Sequence, residues 1–170
     1  MVKNEVKNNK TETISKTAIK NFAVYSRKKL IQDIKNKAAL IGITESGIQE
    51  PLSSSTGNMQ LFEIGTQEPY RIEGRGIEQR NALIKELESK EKNSAYEIAY
   101  ETLIEEVAYT WFNRIIAIRF MEVNNYMPDR IRVLSSGVEG INEPEFINHI
   151  FETSFEFSEE EKYRIIELKT

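Results

Sequence analysis

The chain has 170 residues, 39% of them apolar and 29% charged, which is one domain's worth of chain with enough apolar material for a core and excludes disorder throughout. It has no cysteine and no apolar run of membrane-span length, which excludes a disulfide framework, a cysteine-based metal site and a helix crossing a bilayer. The formal charge of −4 is uneven, with +7 on residues 1–40 and −11 on residues 41–170.

A basic opening segment ahead of an acidic body suits contact with nucleic acid, and it equally suits a solvated helix face behind a loose tail. The first 30 residues hold no apolar stretch of signal-peptide length, and the missing cysteines fit a cytoplasmic protein.

Residues 1–14 are polar and rich in Lys and Asn, and they read as a mobile basic tail before a helical domain over 15–170. From Ser15 the pattern turns helical. Ile19, Phe22, Leu30, Ile31, Ile34 and Ala38 recur at the spacing of one helix face, and Gly42 is a natural stop. Residues 43–73 are punctuated by Gly47, Pro51, Gly57, Gly65 and Pro69. A structureless loop of that length is uncommon in a compact domain, so either a small β element (short strands or a hairpin) is expected there, or a loop packed across the helices.

A second helix is expected from Glu78 to Lys92, its apolar face supplied by Leu83, Ile84 and Leu87. Gly74-Arg75-Gly76 just before it reads as a turn, because a dinucleotide loop needs a preceding strand and a third glycine. Ser94 to Glu97 has the form of a capping box, opening a third helix that continues to Val123. The stretch 107–124 is apolar nearly all round, so residues 107–121 are expected to form the buried centre of the domain. Arg114 and Arg119 sit within it. Glu122, three residues beyond Arg119, is the expected partner of that guanidinium.

Pro128 ends this region, and Arg130 to Leu134 alternates as a short strand or extended segment. A short helix is expected over Glu145–Phe151. A second capping box, Ser158 to Glu161, opens a last helix. The apolar pattern stops soon after, and the chain is expected to be part of a longer protein. The fold class that follows is mainly α: a bundle-like helical domain with a central buried helix.

Catalytic constellations are missing. The single histidine, His149, cannot by itself build a triad or a zinc site and reads as a surface residue. The acids at Glu105-Glu106 and Glu159-Glu160-Glu161 lie in a helix and at a helix start, which is a structural placement.

The block EEVAYTWFNRIIAIRFMEVNNYMP, followed by RIRVLSS, resembles the N-terminal region of PglX-type adenine-specific DNA methyltransferases of BREX phage-defence systems. The segment AIKNFAVYSRKKLIQDIKNKAALIGI at 18–43 looks like the start of that family. The resemblance implies a restriction-modification-like parent enzyme that uses S-adenosylmethionine to methylate N6 of adenine in double-stranded DNA, flipping the base out of the stack. It implies a Gly-rich cofactor loop and an Asn-Pro-Pro-Tyr motif as well. Neither is present, and Pro51, Pro69, Pro128 and Pro144 are all isolated, so no catalytic, cofactor-binding or metal residue carries over.

The expected function is therefore a non-catalytic helical domain that braces a downstream methyltransferase domain and contacts DNA or other BREX proteins. Lys16, Lys20, Arg27, Lys28, Lys35 and Lys37 are the candidates for phosphate contact. Trp111, Asn113, Arg114, Arg119 and Glu122 are the candidates for structural or interdomain roles. The alternative is a protein-interaction or scaffold module with no nucleic-acid role.

Overall fold

The computed structural model describes residues 15–167. The expected mobile tail at 1–14 lies outside them. The described chain is mainly α with two small two-stranded sheets, as the sequence predicts. It falls into two compact units, one up to Ala108 and one from Tyr109 onward.

In the first unit, α1 runs Lys16–Leu40, and the Ser15 side chain caps it by accepting from the Ala18 N–H at 3.4 Å. Gly42 ends it in the left-handed region at φ +72°, with its N–H bonded to the Ala39 carbonyl at 3.0 Å. A Cβ there would sit 2.8 Å from the Phe62 ring, so both the backbone and the packing demand glycine.

The 43–73 stretch contains the expected β element, in two parts. A tight hairpin pairs β1, Ile43–Thr44, with β2, Gly47–Ile48. A second hairpin pairs β3, Met59–Phe62, with β4, Tyr70–Glu73, in the register Phe62↔Tyr70. Leu52 and Ser55 hold the intervening loop to β3. The Leu52 N–H donates to the Leu61 carbonyl at 2.8 Å, and the Leu61 N–H donates to the Ser55 hydroxyl at 2.9 Å.

Helix α2, Arg75–Glu91, starts three residues earlier than the sequence pattern suggests, directly after Gly74 at φ +47°. Gly74 is thus the turn into a helix in which Arg75 and Gly76 already lie. The strand that the sequence did not show is present as β4, directly before Gly74, so of the two features a dinucleotide loop needs only the third glycine is lacking. Helix α3 is Tyr96–Val123. The hydroxyl of Ser94, expected to cap α3, donates to the Lys90 carbonyl at 3.2 Å and so closes the end of α2.

The core of this unit gathers Ala38, Ile43, Leu87, Ala99, Tyr100, Leu103 and Ile104, with Ile31, Ile34 and Leu83 packed against it. It joins α1, β1, α2 and the first half of α3. The part of α3 that contributes apolar side chains to the core therefore ends at Ala108, and beyond it Glu122 is the one buried residue of the helix. The expectation of burial over 107–121 is corrected here: Trp111 is 50% exposed, Phe120 58% and Ile116 42%. Apolar side chains on every side of a helix require cover, but they do not say which part of the protein provides it.

In the second unit, a 3₁₀ turn at Pro128–Arg130 is followed by irregular chain, then α4, Glu145–Asn148, and α5, Glu159–Glu167. Of the short strand or extended segment expected at 130–134 the structure has the second: Ile131 is extended at φ −75°, ψ 145°, and the stretch joins no sheet. Its backbone donors go to carboxylates instead of a partner strand: Arg132 N–H to Glu145 at 3.3 Å, and Leu134 N–H to Glu122. The second capping box forms as predicted. The Ser158 N–H reaches Glu161 at 2.9 Å, and the Glu161 N–H reaches the Ser158 hydroxyl at 3.3 Å. A small core of Ile131, Phe146 and Ile150 is closed by Val133, Phe155, Phe157, Ile165 and Ile166.

Candidate interaction surface

The six cations proposed for phosphate contact all lie on α1, but they do not form one face. Arg27 pairs with Glu105 at 3.1 Å, and Lys35 pairs with Glu101 and lies 4.0 Å from Glu45. Both point toward acids that α3 or the first hairpin presents. Lys16, Lys20, Lys28 and Lys37 are exposed. Helical spacing sets Lys16 and Lys20 together, with Lys37 to one side of them and Lys28 to the other. Four of the six cations remain for an anionic partner, and they spread over about half the circumference of the helix.

Acids along α3 fasten the other two helices. Glu106 accepts from Lys90 of α2 at 2.7 Å, as Glu101 and Glu105 accept from α1. The Glu105-Glu106 pair is thus occupied in ion pairs, as its structural reading requires. The hydrogen bond to Glu101 raises the Lys35 pKa, and the bond to Glu106 raises that of Lys90. Burial raises the phenol pKa values of Tyr96 and Tyr100, which stack at 6.3 Å. The Tyr96 hydroxyl donates to the Thr44 carbonyl at 2.7 Å, linking α3 to the first hairpin.

Arg80 was not apparent as a site from the sequence. It is 4% exposed, and its guanidinium donates to the Ile41 carbonyl at 2.8 Å and the Gln49 carbonyl at 2.7 Å. It also lies 4.7 Å from the centre of the Phe62 ring. One side chain thus ties the end of α1 to both hairpins. Burial lowers its pKa. A signal was present: Arg80 precedes Leu83, Ile84 and Leu87 at core spacing on α2.

In the second unit, Arg119 pairs with Glu122 at 2.9 Å, the pairing that its three-residue spacing suggests. The Glu122 side chain is fully buried, and it also accepts from the Leu134 N–H and from the Ser135 hydroxyl at 3.3 Å. Arg119 donates to that same hydroxyl at 2.6 Å. Glu122 is therefore the latch that holds the 131–135 segment to the end of α3. Arg114 lies over the Trp111 ring at 5.6 Å, and Asn113 is exposed.

His149 is exposed, 3.0 Å from Glu152, in a shallow polar recess with Asp129, Arg130 and Glu145. Hydrogen bonds from Ser154 hold the Asp129 carboxyl below its ordinary range. Among the described residues no cluster of His, Cys, Asp and Glu could hold a metal ion, and no helix is long and apolar enough to cross a membrane.

No family model matches the chain, and no solved structure matches it. Two curated proteins do. It is 43% identical over 139 residues to the adenine-specific methyltransferase PglX of Lacticaseibacillus casei (strain Zhang), a match covering 82% of this chain and 11% of that protein. It is 29% identical over 159 residues to the adenine-specific methyltransferase BrxX of Escherichia coli O9:H4 (strain HS), covering 89% of this chain and 12% of that protein. The chain is thus related to adenine-specific methyltransferases across most of its own length, while spanning about a tenth of the relatives it matches. Within that class it is a PglX-type sequence.

Proposed function

We propose that this chain is a non-catalytic helical module of a PglX-type adenine-specific DNA methyltransferase, bracing the catalytic body and contributing cations to its DNA contact. The observation that carries the reading is the 43% identity to a segment that is only 11% of a named methyltransferase. The make-up of the segment agrees with it. The sequence has no Gly-rich cofactor loop and no Asn-Pro-Pro-Tyr, the adjacent acids Glu105 and Glu106 are engaged in ion pairs, and the single histidine, His149, is hydrogen-bonded to Glu152. In this reading S-adenosylmethionine binds elsewhere in the longer enzyme, double-stranded DNA is the substrate, and phage defence within a BREX system is the setting.

Calorimetry tests the division of labour. S-adenosylmethionine titrated into the 170-residue chain gives no binding heat, whereas the longer protein binds it. Saturable binding by the chain alone overturns the assignment. The DNA contribution rests on Lys16, Lys20, Lys28 and Lys37, the exposed members of the basic set. Changing all four to Gln lowers duplex affinity of the longer enzyme and makes its dependence on salt shallower. An unchanged salt slope removes DNA from the proposal.

A second reading, a scaffold module without nucleic-acid contact, is favoured by the capture of Arg27 and Lys35 by carboxylates and by the −11 charge beyond residue 40. The same salt-slope measurement separates the two.

A further inference from the structure

The second unit has its apolar residues distributed in reverse. Among its described residues three apolar ones are buried, whereas twelve large ones stay exposed. Soluble monomers rarely leave contiguous apolar surface of that kind uncovered. The exposure is not scattered on α3. Tyr109, Ile116, Phe120 and Val123 recur at three-, four- and seven-residue spacing, so they line one face, and all four are exposed. At the rise of about 1.5 Å per residue, that stripe is about 20 Å long. Tyr126 extends it, meeting Phe120 edge-on at 6.1 Å. On the same helix, the charges from Tyr109 to Val123 are Arg114, Arg119 and Glu122, and the one acid among them is buried. On the helical wheel Arg119 borders the stripe and is paired with Glu122, Arg114 lies on the opposite side over Trp111, and the exposed Asn113 is a polar residue within the stripe.

We infer that this stripe of α3 is the seat of a permanent intramolecular interface, covered by an apolar surface on the catalytic body of the PglX-type enzyme. The inference rests on the module reading above and names the face that does the bracing. Two observations select this occupant. The match takes up 11% of the relative, so most of a PglX-type protein lies outside it and is available as a covering body. Permanent interfaces resemble a core cut in half, whereas transient ones are about as polar as ordinary surface, and the twelve-to-three reversal belongs to the first kind.

The test uses the whole 170-residue chain, co-expressed with a tagged catalytic body, namely the part of the Lacticaseibacillus casei relative outside the match. The wild-type chain is retained one-to-one by the body. Ile116→Glu with Phe120→Glu lowers retention at least tenfold, and Phe120→Ala with Val123→Ala lowers it by a smaller factor. Val24→Glu, at an exposed apolar position on α1, leaves it unchanged. All these positions are solvent-exposed, so melting of the isolated chain stays within a few degrees of wild type. Retention that ignores the stripe variants overturns the inference and leaves the module reading standing. Failure to retain the wild-type chain overturns the inference outright, and methyl transfer by the longer enzyme with and without the segment then decides the module reading separately. Self-association of the chain that the Glu variants abolish assigns the stripe to a second copy and overturns the inference as well.

Discussion

Single side chains carry more of this structure than their number suggests, and Arg80 is the clearest case. A buried guanidinium gives little net stability against an apolar substitute, but removing it leaves its partners unsatisfied. The Ile41 and Gln49 carbonyls lose their donor together. Arg80→Ala is expected to destabilise the first unit by about 2–4 kcal/mol, read by urea denaturation. Arg80→Lys recovers only part of this, since an ammonium cannot span two carbonyls as a planar fork does. A loss under about 0.5 kcal/mol contradicts the clamp. Gly42→Ala tests backbone and packing together: at φ +72° with Phe62 in the way, a cost of at least about 1–3 kcal/mol is expected. In the second unit, Glu122→Gln withdraws the charge that Arg119, Leu134 N–H and the Ser135 hydroxyl share. About 1–3 kcal/mol and faster proteolysis between residues 131 and 136 are expected, and unchanged cleavage rules out the latch.

Among the elements, the three helices of the first unit are joined by ion pairs along α3, and this gives the unit a pH signature. Lys35, Lys90, Tyr96 and Tyr100 all have pKa values raised by folding. A raised value means stability that is complete below the unfolded pKa and lost as pH climbs through the folded one. With ordinary values of 10.0 for Tyr and 10.5 for Lys, the melting temperature should hold steady through neutral pH and fall once pH exceeds about 10. A decline already complete by about pH 8 excludes these groups as its cause.

The helices were legible in the sequence because their signals are local: Gly42 as a stop, core spacing in α1 and α2, and the reciprocal Ser158–Glu161 box. The 130–134 segment could be read only as a short strand or an extended segment, because alternation encodes an extended backbone without saying what satisfies it. Here the answer lay in Glu122 and Glu145, at least ten residues away in sequence. The burial of 107–121 was misjudged for a related reason. Composition reveals that Trp111 and Phe120 want cover, and the covering partner is not written in the helix itself. Of the six candidate cations, only the fold shows that Arg27 and Lys35 are held by Glu105 and Glu101.

Taken whole, the chain has a first unit with a core of seven buried apolar residues and a second unit in which, among the described residues, large exposed apolar side chains outnumber buried ones. Such a molecule is suited to being held against something larger. Its relatedness to a tenth-length segment of adenine-specific methyltransferases identifies the larger body in the reading proposed above. The most direct measurement is transfer of a labelled methyl group from S-adenosylmethionine to adenine in duplex DNA, by the chain alone and by the PglX-type enzyme with and without this segment. The account predicts no transfer by the chain alone and at least a tenfold loss of rate when the enzyme lacks the segment. Transfer by the chain unaided, or an enzyme indifferent to its removal, contradicts it.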